Sequence, residues 1–318
     1  MIFYLIQNSN VSTALLWLIV VAVSFLLSFL SLKCFKKLLP KDQGRQYAVN
    51  GALSEGKPRG AGLLFITSFV ISCTLFVPMS LQEVINIVLI YVAMLMGFFD
   101  DSAEKPWGEL KKGLIDGVIS IGVAVNFVVH NSTDIFFFGH LIHIPVVLYV
   151  ILGAVLVWAS INVTNCSDGV DGLCGSLSIS TLVLFGLLLV NTNMFVPDVI
   201  MIMTLFAYLW FNASPSRLLM GDAGSRAIGV FIAMMAMYSN HPLLFIPFAI
   251  VLILDGGLGL VKLTIRRVTK KMNFMEKIRT PLHDHARKKN NWSDTQVVTR
   301  FVIIQTIIGL AAYLLASI

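Results

Sequence analysis

Ten apolar runs recur along this chain of 318 residues, near 13–32, 60–79, 82–99, 113–130, 146–164, 175–191, 197–212, 226–239, 243–262 and 297–317. A bilayer's hydrocarbon core takes about 20 apolar residues of helix to cross, which is the scale of these runs. In lipid every backbone amide must be paired within its own segment or a closed barrel, and these runs lack the short alternating pattern of barrel strands. Only 13% of the residues are charged, against about 25% in soluble domains. The expectation is an all-α polytopic membrane protein, a single integral membrane domain over 1–318 with ten transmembrane helices.

Charge placement gives the expected orientation. All 23 Lys and Arg fall in the connections 33–59, 100–112, 212–226 and 262–300, which ten spans put on one side. Lys and Arg are retained in the cytoplasm during insertion, so both termini are expected on the extracytoplasmic side. The net charge of +6 then reads as this sidedness plus attraction to anionic lipid, not as nucleic-acid binding. The four cysteines show no disulfide or zinc spacing and read as small packing residues. The N-terminal run lacks the basic start and small-residue cleavage site of a signal peptide.

The acids of the inner connections sit in short, glycine-bearing stretches. Asp100 and Asp101 end the third run in GFFDDSAEKPWGELKKG, Asp168 and Asp171 lie in NCSDGVDGLCGS, and Asp222 lies in LLMGDAGSRAIG. His283 and His285 follow in TPLHDHARKKNNWSD. Carboxylates are hard oxygen ligands suited to Mg²⁺ or Mn²⁺, and nearby lysines neutralise phosphate oxygens. No P-loop or dinucleotide glycine fingerprint is present, and an H-x-H pair without a third ligand is a weak zinc signal. A metal-assisted phosphoryl or phosphosugar site at the inner membrane face follows, with a lipid-borne acceptor or donor. A secondary transporter would place acids at mid-bilayer within an inverted repeat, and no repeat is visible.

These stretches taken in order, GFFDD, N-x-x-D-G-x-D-G-L at 165–173, M-G-D-A-G-S at 220–225, and H-D-H followed by Trp292 and V-V-T-R-F, resemble the polyprenyl-phosphate N-acetylhexosamine 1-phosphate transferase superfamily over nearly the whole chain. The last loop is most similar to the members that transfer phospho-N-acetylmuramoyl-pentapeptide. The resemblance implies a multi-pass enzyme of the bacterial plasma membrane with its active site on the cytoplasmic face. It implies UDP-N-acetylmuramoyl-pentapeptide as donor, undecaprenyl phosphate as acceptor, and lipid I and UMP as products. It also implies a Mg²⁺ cofactor, with Mn²⁺ as a substitute, and a homodimer. A related enzyme using UDP-N-acetylglucosamine is the alternative within the superfamily.

Matched position by position, the resemblance implies a catalytic set of Asp100, Asp101, Asp222 and His283. Asp222 and Asp168 match positions at the metal, and Asp100 one that takes or orients the proton of the lipid phosphate. Lys57, Lys112, Asn165, Asp168, Asp171, Leu219 and His285 match substrate-binding positions, with Asp171 and Leu219 at the nucleoside. The chain departs from the pattern in several places. Asp284 replaces the middle of three histidines, and Leu219 an aromatic residue. The glycine-rich stretch near the second run reads GKPRGAG at 56–62, so Lys57 is the expected cation there. Asp116 follows Lys112 one turn on, and Asp255 opens L-D-G-G in the ninth run. Residues 132–146 are expected to form a short outer hairpin. Residues 266–282 read equally as an interfacial helix or as a continuation of the ninth span.

Overall fold

The computed structural model describes residues 12–44, 54–105, 107–137, 139–270 and 275–316. Parts of the 39–60 loop and of the 266–282 segment lie outside them. The chain is a polytopic helical membrane protein. Helix α1 (Thr13–Phe35) is capped by Ser12, whose hydroxyl accepts from the Leu15 amide at 3.3 Å. It is followed by α2 (Gly62–Phe76), α3 (Leu81–Asp101) and α4 (Glu109–His130). A hairpin of β1 (Asp134–Phe137) and β2 (His140–His143) comes next, in the register Asp134 to His143, as expected for this stretch. Then come α5 (Val146–Cys166), α6 (Leu173–Leu189), α7 (Phe195–Asn212) and α8 (Gly221–Tyr238).

The next apolar run is broken. It is built of α9 (Phe245–Phe248), α10 (Ile250–Leu252), a π-helical turn at Ile253–Gly257 and α11 (Leu258–Thr269). The segments Pro242–Phe248 and Ile250–Thr269 meet at 72°. Pro247 and the L-D-G-G stretch at 254–257 supply the usual causes of such a bend. Helices α12 (Leu282–Lys289) and α13 (Asp294–Ala316) complete the chain.

Among the described residues six helices are long and apolar enough to cross a bilayer, or seven if the bent pair is one span. Helices α2 and α6 are apolar but short, at 15 and 17 residues. Helix α8 carries Asp222, Ser225 and Arg226 in its first turns. Its place explains this composition: from Ala223 to Met237 every residue is buried. Helices α2, α3, α5 and α6 pack around it.

Contact at the start of α8 is backbone to backbone. A Cβ on Gly62 would stand 2.1 Å from the Gly224 nitrogen, and one on Gly97 2.3 Å from the Asp222 carbonyl oxygen. At the far end the Tyr238 hydroxyl is held by the side-chain amides of Gln82 at 2.6 Å and Asn86 at 2.7 Å. The first turn of α8 is thereby pinned against the end of α3, where Asp100 and Asp101 lie.

Candidate active site

Asp222 is the meeting point of three cationic side chains, each of which also holds another carboxylate. Lys112 Nζ lies 2.5 Å from Asp100 Oδ2 and 3.4 Å from Asp222 Oδ2. Arg59 donates from Nε to Asp101 Oδ1 and from Nη1 to Asp42 Oδ1, both at 2.9 Å, with Nη2 3.8 Å from Asp222 Oδ1. Arg226 pairs with Asp116 and reaches Asp222 Oδ2 at 3.4 Å. The groups arrive from Asp42 and the 54–61 loop, from the facing ends of α3 and α4, and from the first two turns of α8. The second oxygen of Asp101 accepts from the Ala223 amide at 3.1 Å, at the positive end of α8.

Burial opposes the charge on Arg59, but the carboxylates of Asp101, Asp42 and Asp222 outweigh it and hold the guanidinium protonated above its ordinary value. With every group ionised, the five carboxylates (Asp42, Asp100, Asp101, Asp116, Asp222) exceed the three cations (Arg59, Lys112, Arg226) by two negative charges. Among the described residues no three His, Cys, Asp or Glu side chains form a ready metal cage. Mg²⁺ needs none: it is usually held by one or two carboxylates, with water and substrate phosphates completing the shell. The carboxylates of Asp222 and of Asp168, which meets Gly221 beside it, are hard oxygen donors of the type such an ion takes, so the residues present fit it.

The loop between α5 and α6 closes one side of the cluster. Asp168 Oδ2 accepts from the Gly221 amide at 3.2 Å, and Asn165 donates to Ser225 Oγ at 3.0 Å while lying against Asp222. Gly221 has φ of +72°, and a Cβ there would stand 2.2 Å from Asp101 Oδ2, so glycine permits both the turn and the approach. Asp171 is turned elsewhere. It accepts from the Ser216 amide at 2.9 Å and faces Lys57 Nζ at 3.9 Å, and Lys57 also donates to Ser216 Oγ at 2.9 Å.

Leu219 is half-buried, and its backbone is clamped to the same loop: its amide donates to Pro58 at 2.8 Å and its carbonyl accepts from Ala61 at 3.0 Å. His283 is buried, donating its amide to Asp255 Oδ1 at 2.7 Å and placing Nδ1 2.8 Å from Asp255 Oδ2. Its Nε2 packs so closely on Gly169 that a Cβ there would stand 2.3 Å away, which sets His283 beside Asp168. His285 instead uses Nδ1 to accept the Arg279 amide at 3.1 Å. Asp284 makes ion pairs at 3.8 Å with Arg279 and with Arg287. Trp292 carries the Arg300 guanidinium 4.3 Å over its ring.

Thus Asp100, Asp101, Lys112 and Asp222 share one cluster, with Asn165 and Asp168 touching its edge. Lys57 and Asp171 form a second, adjoining pair, and His283 joins through the Gly169 contact. Arg59, Arg226 and Asp42 are the members that sequence reasoning passed over. Arg226 sits one turn after Asp222 on the same helix, a spacing that forecasts the pair. An apolar cavity of about 360 Å³ runs between α5 and the bent segment, from Ile135 and Tyr149 to Val163 and Ile253.

The chain matches the glycosyl transferase family 4 over residues 83–240, the stretch holding Asp100, Asp101, Lys112, Asp168 and Asp222. It is 35% identical to a phospho-N-acetylmuramoyl-pentapeptide-transferase of Treponema pallidum, covering 92% of this chain and 87% of the relative. Proteins of the same name from Borrelia hermsii and Helicobacter pylori are 30% and 25% identical. The former match covers 81% of both chains, the latter 81% of this one and 80% of the relative.

Proposed function

Because the chain belongs to glycosyl transferase family 4, we propose that it moves phospho-N-acetylmuramoyl-pentapeptide from UDP-N-acetylmuramoyl-pentapeptide to undecaprenyl phosphate, releasing UMP and forming lipid I. The observation that carries this reading is the Asp100–Lys112–Asp222–Arg59–Asp101 cluster, a charged, partly solvated site built at the ends of apolar helices. Soluble nucleotide and membrane lipid could meet there. The apolar cavity beside α5 supports a polyprenyl acceptor.

In this reaction an oxygen of the lipid phosphate attacks the sugar-bearing phosphorus of the donor. The bond from that phosphorus to the bridging oxygen breaks, and UMP leaves with that oxygen. Asp100, braced by Lys112 and by the Trp107 amide at 2.7 Å, takes the proton of the lipid phosphate. Lys112 faces the phosphate oxygens as negative charge shifts toward the leaving group. Asp222 and Asp168 would hold a Mg²⁺, which would offset the charge of the diphosphate. Asp171 and Leu219 line the nucleoside end, and His283, fixed by Asp255, orders the loop beside Asp168. His285, two residues on in α12, completes the substrate-binding set. The proposed setting is a bacterial plasma membrane, with ten spans, both termini outside, the site facing the cytoplasm, and a homodimer as the assembly.

Incubation of the purified protein with Mg²⁺, a short polyprenyl phosphate and one UDP-sugar at a time tests the reading. UMP release is expected with the muramoyl-pentapeptide donor. Release only with UDP-N-acetylglucosamine would instead assign the related reaction, the reading that Asp284 within the histidine pair favours. No release with any donor would reject both.

A further inference from the structure

The sequence points to Lys57 as the cation of the GKPRGAG stretch, but its ammonium is taken up by Asp171 and Ser216, away from Asp222. We propose that Arg59 is a substrate-contacting residue: its guanidinium grips the diphosphate of the sugar nucleotide. This rests on the phosphosugar-transfer reading above.

The position of Arg59 is defined by its backbone and its carboxylate partners together. Its amide donates to the Pro40 carbonyl at 2.8 Å, and Lys41 bridges Pro58 in antiparallel fashion. The Asp42 amide donates to Lys57 at 2.9 Å, and the Leu219 amide to Pro58 at 2.8 Å. The stretch 57–59 is therefore held between two neighbouring strands of chain. From that support the side chain is braced twice more, through Nε on Asp101 and Nη1 on Asp42.

Those bonds leave donors over. A guanidinium has five N–H groups in a planar fork. Nη2 makes only the 3.8 Å approach to Asp222 among the described residues, beyond hydrogen-bond reach. The side chain keeps 22% of its surface open. A planar fork with spare donors, held by carboxylates on two sides and facing a third loosely, is the arrangement that takes phosphate oxygens two at a time. The Leu219 amide donates to Pro58, the residue before Arg59, so a nucleoside against Leu219 would lie near Arg59. Arg59 then hands its loose contact on Asp222 to the ligand, while Asp101 and Asp42 keep it in place.

Binding separates this from a structural strap. UDP and uridine are titrated into the purified full chain in detergent with Mg²⁺, read by ligand-observed NMR. Arg59→Gln is expected to weaken UDP at least about tenfold, the loss of one charge-assisted contact, and to leave uridine within about twofold. Arg59→Lys is expected to recover part of the UDP affinity. Equal UDP binding by Arg59→Gln and the unaltered protein would overturn the proposal. Equal loss of UDP and of uridine by Arg59→Gln would also overturn it, because the cluster would then be a strap. If the unaltered protein binds neither probe, the transfer reading itself fails, a result distinct from both.

Discussion

Three cations converge on the single carboxylate of Asp222, so its charge decides whether the other acids stay arranged around it. On the proposed chemistry, Asp222→Asn abolishes Mg²⁺-dependent UMP release while the protein remains folded and monodisperse in detergent. Full activity in that variant would remove Asp222 from the metal. Asp100→Asn is expected to lower turnover at least about a hundredfold, the scale of a lost general base. Near-normal rates, measured with both substrates saturating, would clear it of that role. The acids were legible because they sit in short glycine-bearing stretches at the ends of apolar runs, where a carboxylate is costly without a task. Arg59 was not. Its neighbours in sequence are an ordinary loop, and the pairs that matter reach 42 residues on to Asp101 and across the fold to Asp222. Lys57 looked equivalent from its spacing, yet two residues of displacement along the strand send it to Asp171 instead.

Among the helices, α8 shows how composition misleads about boundaries. The apolar pattern places a span at 226–239, whereas the helix starts at Gly221, because GDAGSR reads as a loop until the glycines are seen to be contacts. Gly97 on α3 faces the Asp222 carbonyl with no room for a methyl group. Gly97→Ala is therefore expected to push α3 from α8, costing about 1–3 kcal/mol as overpacking does. Thermal unfolding in detergent would show a lowered midpoint, with activity falling alongside it because Asp100 and Asp101 move with α3. An unchanged midpoint would mean that the helices slide apart freely. The 72° bend after Phe248 was foreshadowed only by Pro247 and L-D-G-G. Of the two readings of 266–282, the structure carries the helix on to Thr269 from beyond the bend.

For the molecule as a whole, the segregation of Lys and Arg expresses an insertion preference that length alone does not settle, since several helices are short. Cys34 is exposed at the end of α1, while Cys73 and Cys174 are buried. With the proposed orientation, a membrane-impermeant maleimide leaves Cys34 unlabelled in intact cells and labels it once they are permeabilised. A cysteine introduced at Ser132, beside the hairpin, labels in both conditions. The reverse pattern would invert the topology. The helical, membrane-spanning character was readable because apolar runs are summed over many residues. The site's wiring was not, because it depends on a few long-range pairs.

Helix α8 offers almost nothing for lipid to hold: from Ala223 to Met237 its side chains lie against protein. A segment of this kind gains little from lipid and would suit a socket its predecessors have lined. The chain is ordered to allow this, since α2, α3, α5 and α6 are all synthesised before α8. The charged cluster would then come together only when that late arrival is seated, so no half-built protein would present a working site to the sugar nucleotide.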